Sequence, residues 1–119
     1  MGFVRVKALL GPYKQRAQEM EFLVDSGSFY TVLPSDLASS AGIVPTNLTA
    51  KGVLADKRAV EMPLGLAYLR LLDREAGVLV GIFDVPEPVL GVSTLESLGL
   101  KVDPTKGTID LFLPWPLPL

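Results

Sequence analysis

The sequence predicts a mostly-β fold with two short helices, and three observations support this fold class. Apolar and polar residues alternate along several segments, which is the periodicity of strands with one buried face. Glycine and proline separate these segments at short intervals, as they do in turns. Two further segments carry the start and stop signals of short helices, one beginning at Pro34-Ser35 and the other at Ser93.

The composition predicts one globular domain that covers residues 1–119. Of the 119 residues, 49% are apolar and 20% are charged, a balance typical of folded rather than disordered chains. The net charge is −2 and the eleven Lys and Arg residues are scattered, so we expect no nucleic-acid partner. The sequence has no run of about 18 apolar residues, so we expect no membrane span and a cytoplasmic protein.

The sequence contains no cysteine and no histidine. Disulfides, thiolate nucleophiles, Cys/His zinc sites and a Ser-His-Asp triad within the chain are therefore excluded. The sequence also lacks a glycine-rich phosphate-binding loop, and no cofactor is expected. Catalysis, if any, must rest on Asp, Glu, Lys, Ser, Thr or Tyr side chains.

The first half of the chain predicts three strands and a helix. Residues 4–10 alternate as a strand does, and a polar turn follows them. Residues 20–24 form a second alternating segment that runs directly into an acidic loop. Residues 29–33 are β-branched and aromatic, which favours a third strand. Pro34-Ser35 then begins a short helix that Gly42 ends.

The middle of the chain predicts three more strands. Residues 48–54 and 59–72 form two of them around the polar tip at residues 55–58. The second is long, so we expect it to bend near its proline or glycine. A turn at residues 73–77 then leads into the third strand at residues 78–85.

The last third of the chain predicts a helix and a closing hairpin. Ser93-Thr94-Leu95-Glu96 has the pattern of a capping box, and Gly99 is a stop signal. Residues 102–113 predict the hairpin, with its turn at Asp103-Pro104 and Lys106-Gly107.

Two segments of the chain resemble each other. Residues 35–46, SDLASSAGIVPT, share their order of Ser-x-Leu, helix, Gly and Pro-Thr with residues 93–105, STLESLGLKVDPT. Each follows an apolar segment that contains a glycine. The similarity predicts two half-units, each a strand, a loop and a helix, packed around a pseudo-two-fold axis.

Asp25-Ser26-Gly27-Ser28 interrupts two apolar runs, and this placement requires an explanation. A buried carboxylate without partners is costly, so the segment is either a surface turn or a carboxylate held for chemistry. A magnesium site of the Asp-x-Ser-x-Ser type does not fit the spacing. No metal site is expected, since four further acidic residues also have no recognisable ligand spacing: Asp56, Asp73, Glu75 and Asp84.

These residues resemble the retropepsin-like aspartic proteases, in particular the small single-domain proteins of bacteria and archaea. The family motif of apolar residues followed by Asp-Thr/Ser-Gly-Ala/Ser corresponds to the segment at Asp25. Val89-Leu90-Gly91 and the helix after it resemble the second apolar–apolar–Gly element of the family. The resemblance extends from about Phe3 to Leu113.

The resemblance implies an acid-protease half-barrel that functions as a symmetric homodimer, because the chain has a single Asp-Ser-Gly. Asp25 of each copy would activate a water molecule that attacks the peptide bond of an extended or unfolded substrate. Ser26 would form a hydrogen bond across the dyad, and Gly27 would permit a close backbone approach. Ser28 would donate to the carboxylate.

The resemblance also implies a flap that closes over the substrate. Its residues would be Leu54, Ala55, Asp56, Lys57 and Arg58. This tip has no glycine, where family flaps usually have one. The proline-rich segment at residues 114–119 differs from the terminal strands that many family dimers interleave. Two other interpretations remain open: a non-catalytic module that binds a peptide by strand addition, and a structural dimer with the same fold.

Overall fold

The computed structural model describes residues 4–54 and 56–119. Phe3, where the resemblance begins, and Ala55, a predicted flap residue, lie outside the described residues. The fold is mostly β with two short helices, as predicted. In chain order the strands and α-helices are β1 Val4–Gly11, β2 Gln18–Val24, β3 Thr31–Leu33, α1 Ser35–Ser40, β4 Pro45–Val53, β5 Ala59–Leu71, β6 Arg74–Ile82, β7 Val89–Leu90, α2 Val92–Ser97, β8 Leu100–Asp103 and β9 Thr108–Leu111, with a 3₁₀ turn, Lys14–Arg16, between β1 and β2. No helix in the described part of the chain is long and apolar enough to cross a membrane.

Seven strands form one sheet in the order β1-β2-β7-β3-β6-β5-β4, and β1 also pairs with β5. The second pairing closes the sheet on itself. β1 and β2 are antiparallel from Val4↔Val24 to Leu10↔Gln18. β8 and β9 form a separate two-stranded sheet, the predicted closing hairpin. β4 pairs with β5 alone among the described strands, so the β4–β5 hairpin lies at the margin of the large sheet.

The strand pairing has the symmetry that the internal sequence similarity predicts. The hairpin β1–β2, followed by β3 and α1, corresponds to the hairpin β5–β6, followed by β7 and α2. β2 pairs in parallel with β7, and β3 pairs in parallel with β6, so each parallel pair takes one strand from each half. β3 and β7 meet in antiparallel orientation through Val32 and Val89. The two half-units therefore interlock at the centre of the sheet.

The core is built from both half-units, and it holds the ends of the acidic loop. Its most buried large apolar side chains, each at most 1% exposed, are Leu10, Phe22, Leu33, Leu69, Val80, Leu90, Leu98 and Leu100. Burial of one such side chain contributes about 1.5–3 kcal/mol relative to its exposure. Because Phe22 lies before the loop and Leu33 after it, the core fixes the chain on both sides of Asp25.

Several predicted strand boundaries were wrong. The strand predicted at residues 48–54 is β4, Pro45–Val53, and the strand predicted at residues 78–85 ends at Ile82. β3 begins at Thr31 rather than at residue 29. The turn predicted at residues 73–77 is a two-residue turn at 72–73, because Leu71 pairs with Arg74 and residues 74–77 continue β6. β5 ends at Leu71, and within its length it changes partner near Leu64, from β4 to β6. Such an exchange of partners explains its unusual length.

The predicted capping box at Ser93 does not form. α2 begins at Val92 with Gly91 as its N-cap residue, and no side chain caps it. The N–H groups of Val92 and Ser93 donate instead to the carbonyls of Ser28 and Phe29, at 2.8 and 2.9 Å. Gly99 has a φ of 65° and follows the helix, as the predicted stop signal requires.

The proline-rich segment folds back onto its own chain. The buried Arg74 donates through Nη1 to the carbonyls of Leu98, Gly99 and Leu113, at 2.8, 3.1 and 2.9 Å. Its guanidinium also lies 5.4 Å from the ring centroid of Trp115, a cation–π distance. This arginine therefore ties the segment after β9 to the end of α2.

Candidate active site

Asp25 lies in a tight loop between β2 and β3 that three hydrogen bonds define. The Asp25 N–H donates to the Leu90 carbonyl of the second half-unit at 3.1 Å. The Ser28 N–H donates to the Asp25 carbonyl at 3.1 Å. The Gly27 N–H donates to Asp25 Oδ1 at 2.9 Å. The carboxylate is thus oriented by its own loop, and the loop is anchored to β7.

The loop is exposed, although the strands on both sides are buried. Asp25, Ser26 and Gly27 are exposed, whereas Val24 and Thr31 are buried. This arrangement explains why a carboxylate stands between two apolar segments, since β2 and β3 enter the core and the loop between them does not. At Gly27 a Cβ atom would lie 3.2 Å from Asp25 Oδ1, so glycine gives the carboxylate its close approach to the backbone.

Ser28 does not make the hydrogen bond that we predicted from the sequence. Its Oγ donates to the carbonyl of Tyr30 at 2.8 Å. A hydroxyl has one proton to donate, so Ser28 does not donate to the Asp25 carboxylate in this structure. Local bonds from serine to the backbone two residues on are common in turns, and the Tyr30 carbonyl is a partner of this kind.

A groove of about 830 Å³ lies over the loop and places Asp25 beside the β4–β5 hairpin. Three segments line it: the loop and β3, the two strands of the hairpin, and the chain between β6 and β7. The lining residues are Asp25, Gly27, Ser28, Phe29, Tyr30, Val32, Lys51, Gly52, Val53, Leu54, Val60, Met62, Phe83, Val85 and Val89. Asp25 and Lys51 are the charged residues among them, and most of the others are apolar.

Several of these apolar residues were not predicted from the sequence. Phe29 is 60% exposed and packs edge-on against Tyr30, with the ring centroids 5.0 Å apart. Val53, on the hairpin, is 73% exposed. Large apolar side chains that stay exposed beside a polar loop indicate a binding surface. Their exposure is a property of the folded chain and could not be read from the strand periodicity.

The β4–β5 hairpin has its tip where the sequence predicts it, and the four predicted flap residues that the structure describes divide into two groups. Leu54 lines the groove, whereas Asp56, Lys57 and Arg58 are exposed at the tip and are not among the lining residues. Ala55 lies outside the described residues. Leu54 donates its N–H to the Arg58 carbonyl at 2.9 Å, which closes the tip.

The tip is stabilised by a side chain in place of a glycine. Asp56 Oδ1 accepts the Arg58 N–H at 3.1 Å, and Oδ2 accepts the Arg58 Nε–H at 2.8 Å. Lys57 has a φ of 70°, in the left-handed region that favours glycine. The tip therefore takes the conformation that a glycine would favour, with a lysine in its place.

The second half-unit anchors the acidic loop through hydrogen bonds made at the start of α2. The bonds of Val92 and Ser93 to the loop carbonyls occupy the first N–H groups of α2. Thr31 Oγ1 accepts the Gly91 N–H at 3.0 Å and lies 2.7 Å from Thr94 Oγ1. A Cβ atom at Gly91 would lie 2.3 Å from the Tyr30 carbonyl oxygen, so the two backbones meet too closely for a side chain.

Other acidic residues outside the groove are engaged in local structure or exposed. The Tyr68 hydroxyl lies 2.8 Å from Glu75 Oε2 and is the main cause of a lowered Glu75 pKa. The Thr105 hydroxyl is the main cause of a lowered pKa at Asp103, in the β8–β9 turn. Asp73 and Asp84 are exposed. Within residues 4–54 and 56–119, no three acidic side chains converge as a metal site.

Comparisons with known proteins agree with this geometry. A family model described as "Aspartyl protease" matches residues 13–94, which include the acidic loop, the β4–β5 hairpin and the start of α2. The fold is similar to that of EIAV protease, solved in complex with the inhibitor HBY-793, with a TM-score of 0.70 and 18% sequence identity. The similarity covers 86% of this chain and 93% of that chain. No curated protein matches the sequence.

Proposed function

Because this chain belongs to the aspartyl protease family, and is thus an aspartic-type endopeptidase with a retropepsin-like fold, we propose that it acts as a symmetric homodimer. In this dimer the Asp25 side chains of two copies meet on the two-fold axis and form one catalytic site. An isologous arrangement of this kind brings the same residue from both copies together.

The observation that carries this proposal is the single carboxylate of the groove. Asp25 is the acidic residue among the lining residues, and its side chain is exposed. Hydrolysis of an amide needs one group that accepts a proton from water and another that donates one to the substrate. Two adjacent carboxyl groups that share one proton supply both functions. Repulsion between two negative charges at that distance keeps one group protonated while the other is ionised. A second copy provides the missing carboxylate.

The proposed reaction proceeds without a covalent enzyme intermediate. The ionised Asp25 accepts a proton from water as the water oxygen bonds to the peptide carbonyl carbon. The protonated Asp25 of the other copy donates its proton to the carbonyl oxygen. The result is a tetrahedral gem-diol, and the dyad proton has moved from one copy to the other. When the C–N bond breaks, the Asp25 that took the water proton donates it to the nitrogen, and the other Asp25 accepts a proton from a diol hydroxyl, which leaves a carboxylic acid, an amine and the starting dyad. The Gly27 N–H would keep Asp25 Oδ1 oriented, and Ser26 would form a hydrogen bond across the two-fold axis of the dimer.

The proposed substrate is an extended peptide or an unfolded protein. The apolar lining of the groove supports this, since such a surface binds side chains that are exposed in unfolded chains. The hairpin tip, Leu54, Ala55, Asp56, Lys57 and Arg58, would act as a flap that closes over the bound peptide. We propose a cytoplasmic location and no cofactor.

Substitution Asp25→Asn tests the proposal. The amide oxygen of asparagine can still accept the Gly27 N–H, so the loop should keep its shape while the acid–base step is lost. We expect kcat/KM on a denatured protein to fall by about 10²–10⁴-fold. Asp73→Asn, in the exposed β5–β6 turn, is the matched control and should retain wild-type activity.

The experiment also distinguishes the two alternative functions. Cleavage is measured from acidic to neutral pH, and peptide binding and sedimentation equilibrium are measured on the same samples. Wild-type activity in a folded Asp25→Asn variant would refute the dyad. A wild-type protein that binds peptides and cleaves none would instead be a binding module, and one that does neither but remains paired would be a structural dimer.

A further inference from the structure

Thr31 and Thr94 are both fully buried, with 0% exposure. Burial of a hydroxyl group is unfavourable unless it forms a hydrogen bond. Within the described residues, Arg74 is the other buried polar or charged side chain, and it lies at the far end of α2. The two threonines therefore form a distinct polar contact inside an apolar core.

This contact joins the end of the acidic loop to the second half-unit. Thr31 is the first residue of β3, directly after the loop, and Thr94 lies in α2. Their Oγ1 atoms are 2.7 Å apart across 63 residues of sequence. Thr31 Oγ1 also accepts the Gly91 N–H at 3.0 Å. One hydroxyl thus fixes both the helix and the residue that precedes it.

The hydrogen bond of the Gly91 N–H depends on the Thr31 hydroxyl. Gly91 is the N-cap residue of α2, so its N–H has no partner inside the helix. Its neighbour Leu90 accepts the Asp25 N–H, and its neighbour Val92 donates to the Ser28 carbonyl. The path of residues 90–92 therefore sets where both ends of the acidic loop lie.

We propose that the Thr31–Thr94 hydroxyl pair positions Asp25 for catalysis. The proposal rests on the function assigned above to Asp25. The pair holds Gly91, residues 90–92 hold the loop, and the loop orients the carboxylate toward the two-fold axis. Thr31 and Thr94 are absent from the groove lining, so they act on the carboxylate's position and not on substrate contacts.

Thr31→Val tests this inference because valine has nearly the same shape and removes only the hydroxyl. The Gly91 N–H would be left buried without an acceptor, and the loop would shift to relieve it. A shift of about 1 Å can lower a rate about 10²-fold, so we expect kcat to fall about 10- to 100-fold. KM should change by less than about twofold, since the groove keeps its lining.

Two further variants separate positioning from loss of packing. Thr31→Ser keeps the hydroxyl and should restore kcat to within about threefold of wild type. Thr108→Val is the control: the Thr108 hydroxyl donates to Asp110 Oδ1 at 2.9 Å in β9, away from the groove and from the β4–β5 hairpin. Thr108→Val should leave kcat unchanged. If Thr31→Val loses no more activity than Thr108→Val, or if Thr31→Ser is as inactive as Thr31→Val, the inference is wrong.

Amide hydrogen exchange gives a readout that does not depend on activity. In Thr31→Val the amides of Asp25 and Ser28 should exchange faster, while amides of the β5–β6 ladder keep their protection. Thr94→Val should show the same pattern more weakly, because it leaves the Gly91–Thr31 bond in place. Unchanged exchange at Asp25 and Ser28 in either folded valine variant overturns the inference. A wild-type protein that cleaves nothing, with the exchange response intact, refutes the proposed function alone.

Discussion

At the scale of single residues, the Ser28 hydroxyl donates to the Tyr30 carbonyl, and the Gly27 N–H donates to the Asp25 carboxylate. Asp25 itself was identified from its motif and from the apolar runs around it. The partner of Ser28 was predicted wrongly because a hydroxyl in a turn has several acceptors within reach. In this loop the Tyr30 carbonyl, two residues on, is the acceptor. Motif position alone does not decide between them.

The observed partner of Ser28 changes what its removal should do. Ser28→Ala removes a neutral bond to the Tyr30 carbonyl, and we expect a loss of about 0.5–1.5 kcal/mol in the free energy of unfolding. The acid limb of the kcat/KM profile should stay in place, because no donor to the Asp25 carboxylate is lost. Ser97→Ala, which removes a similar bond to the Ser93 carbonyl at 2.8 Å on the surface of α2, is the control. An acid limb that moves to higher pH would mean that Ser28 turns toward the dyad in the active dimer.

Gly91 gives a second prediction at this scale. A Cβ atom there would lie 2.3 Å from the Tyr30 carbonyl oxygen and 2.7 Å from that of Phe29, and both are backbone atoms that cannot move aside freely. We expect Gly91→Ala to destabilise the fold by about 1–3 kcal/mol, the usual effect of overpacking. Gly77→Ala is the control, since a Cβ at Gly77 meets no atom within 4 Å. Denaturant unfolding of both variants checks this, and equal stabilities would contradict the close contact.

At the scale of elements, periodicity predicted most strands because the alternating pattern follows from burial of one face. The pattern failed where tertiary contacts replaced a local signal. Ser93 and Glu96 have capping-box spacing, but the first α2 N–H groups are satisfied by carbonyls 64 residues earlier in the chain (Ser93 to Phe29, and Val92 to Ser28). The start of β6 was missed for a similar reason. Arg74 looks like a turn residue in the sequence, yet its guanidinium binds carbonyls at the end of α2.

The hairpin tip provides a prediction for one element. Asp56→Ala removes the acceptor of both the Arg58 N–H and its guanidinium, and so loosens the tip. The exposed pair contributes about 0.5–1 kcal/mol, so we expect kcat/KM to fall about two- to fivefold, with KM and kcat both affected. Asp103→Ala is the matched control, because Asp103 accepts the Thr105 and Lys106 N–H groups in the β8–β9 turn. Equal kinetic effects from the two variants would show that residues 54–58 are an ordinary turn.

At the scale of the whole molecule, the interlocking of the half-units explains which parts of the site could be predicted. The acidic loop and the Val89-Leu90-Gly91 segment were each recognisable as a motif. Leu90 can anchor Asp25, however, only when β2 pairs with β7. The apolar lining was harder to predict. Met62 lies in β5 and Phe83 directly follows β6, and they reach the acidic loop because β6 pairs in parallel with β3, a pairing that no local pattern encodes. The lining follows from topology, and the carboxylate follows from the motif.

The whole assembly can be tested by mixing two forms of the chain. If each active site needs Asp25 from two copies, excess Asp25→Asn protein should capture wild-type chains in inactive mixed dimers. With random exchange and a ninefold excess of the variant, about one wild-type chain in ten would pair with another, so activity per wild-type chain should fall to about a tenth.

The measurement is cleavage of one peptide after the two proteins have exchanged subunits, at a fixed wild-type concentration. Albumin at the same mass is the control for crowding and adsorption. Dilution of the wild-type protein alone should also lower its specific activity, because dimers dissociate by mass action. Activity per wild-type chain that is unchanged by the variant, in a sample where sedimentation shows exchange, would mean that one copy carries a complete site.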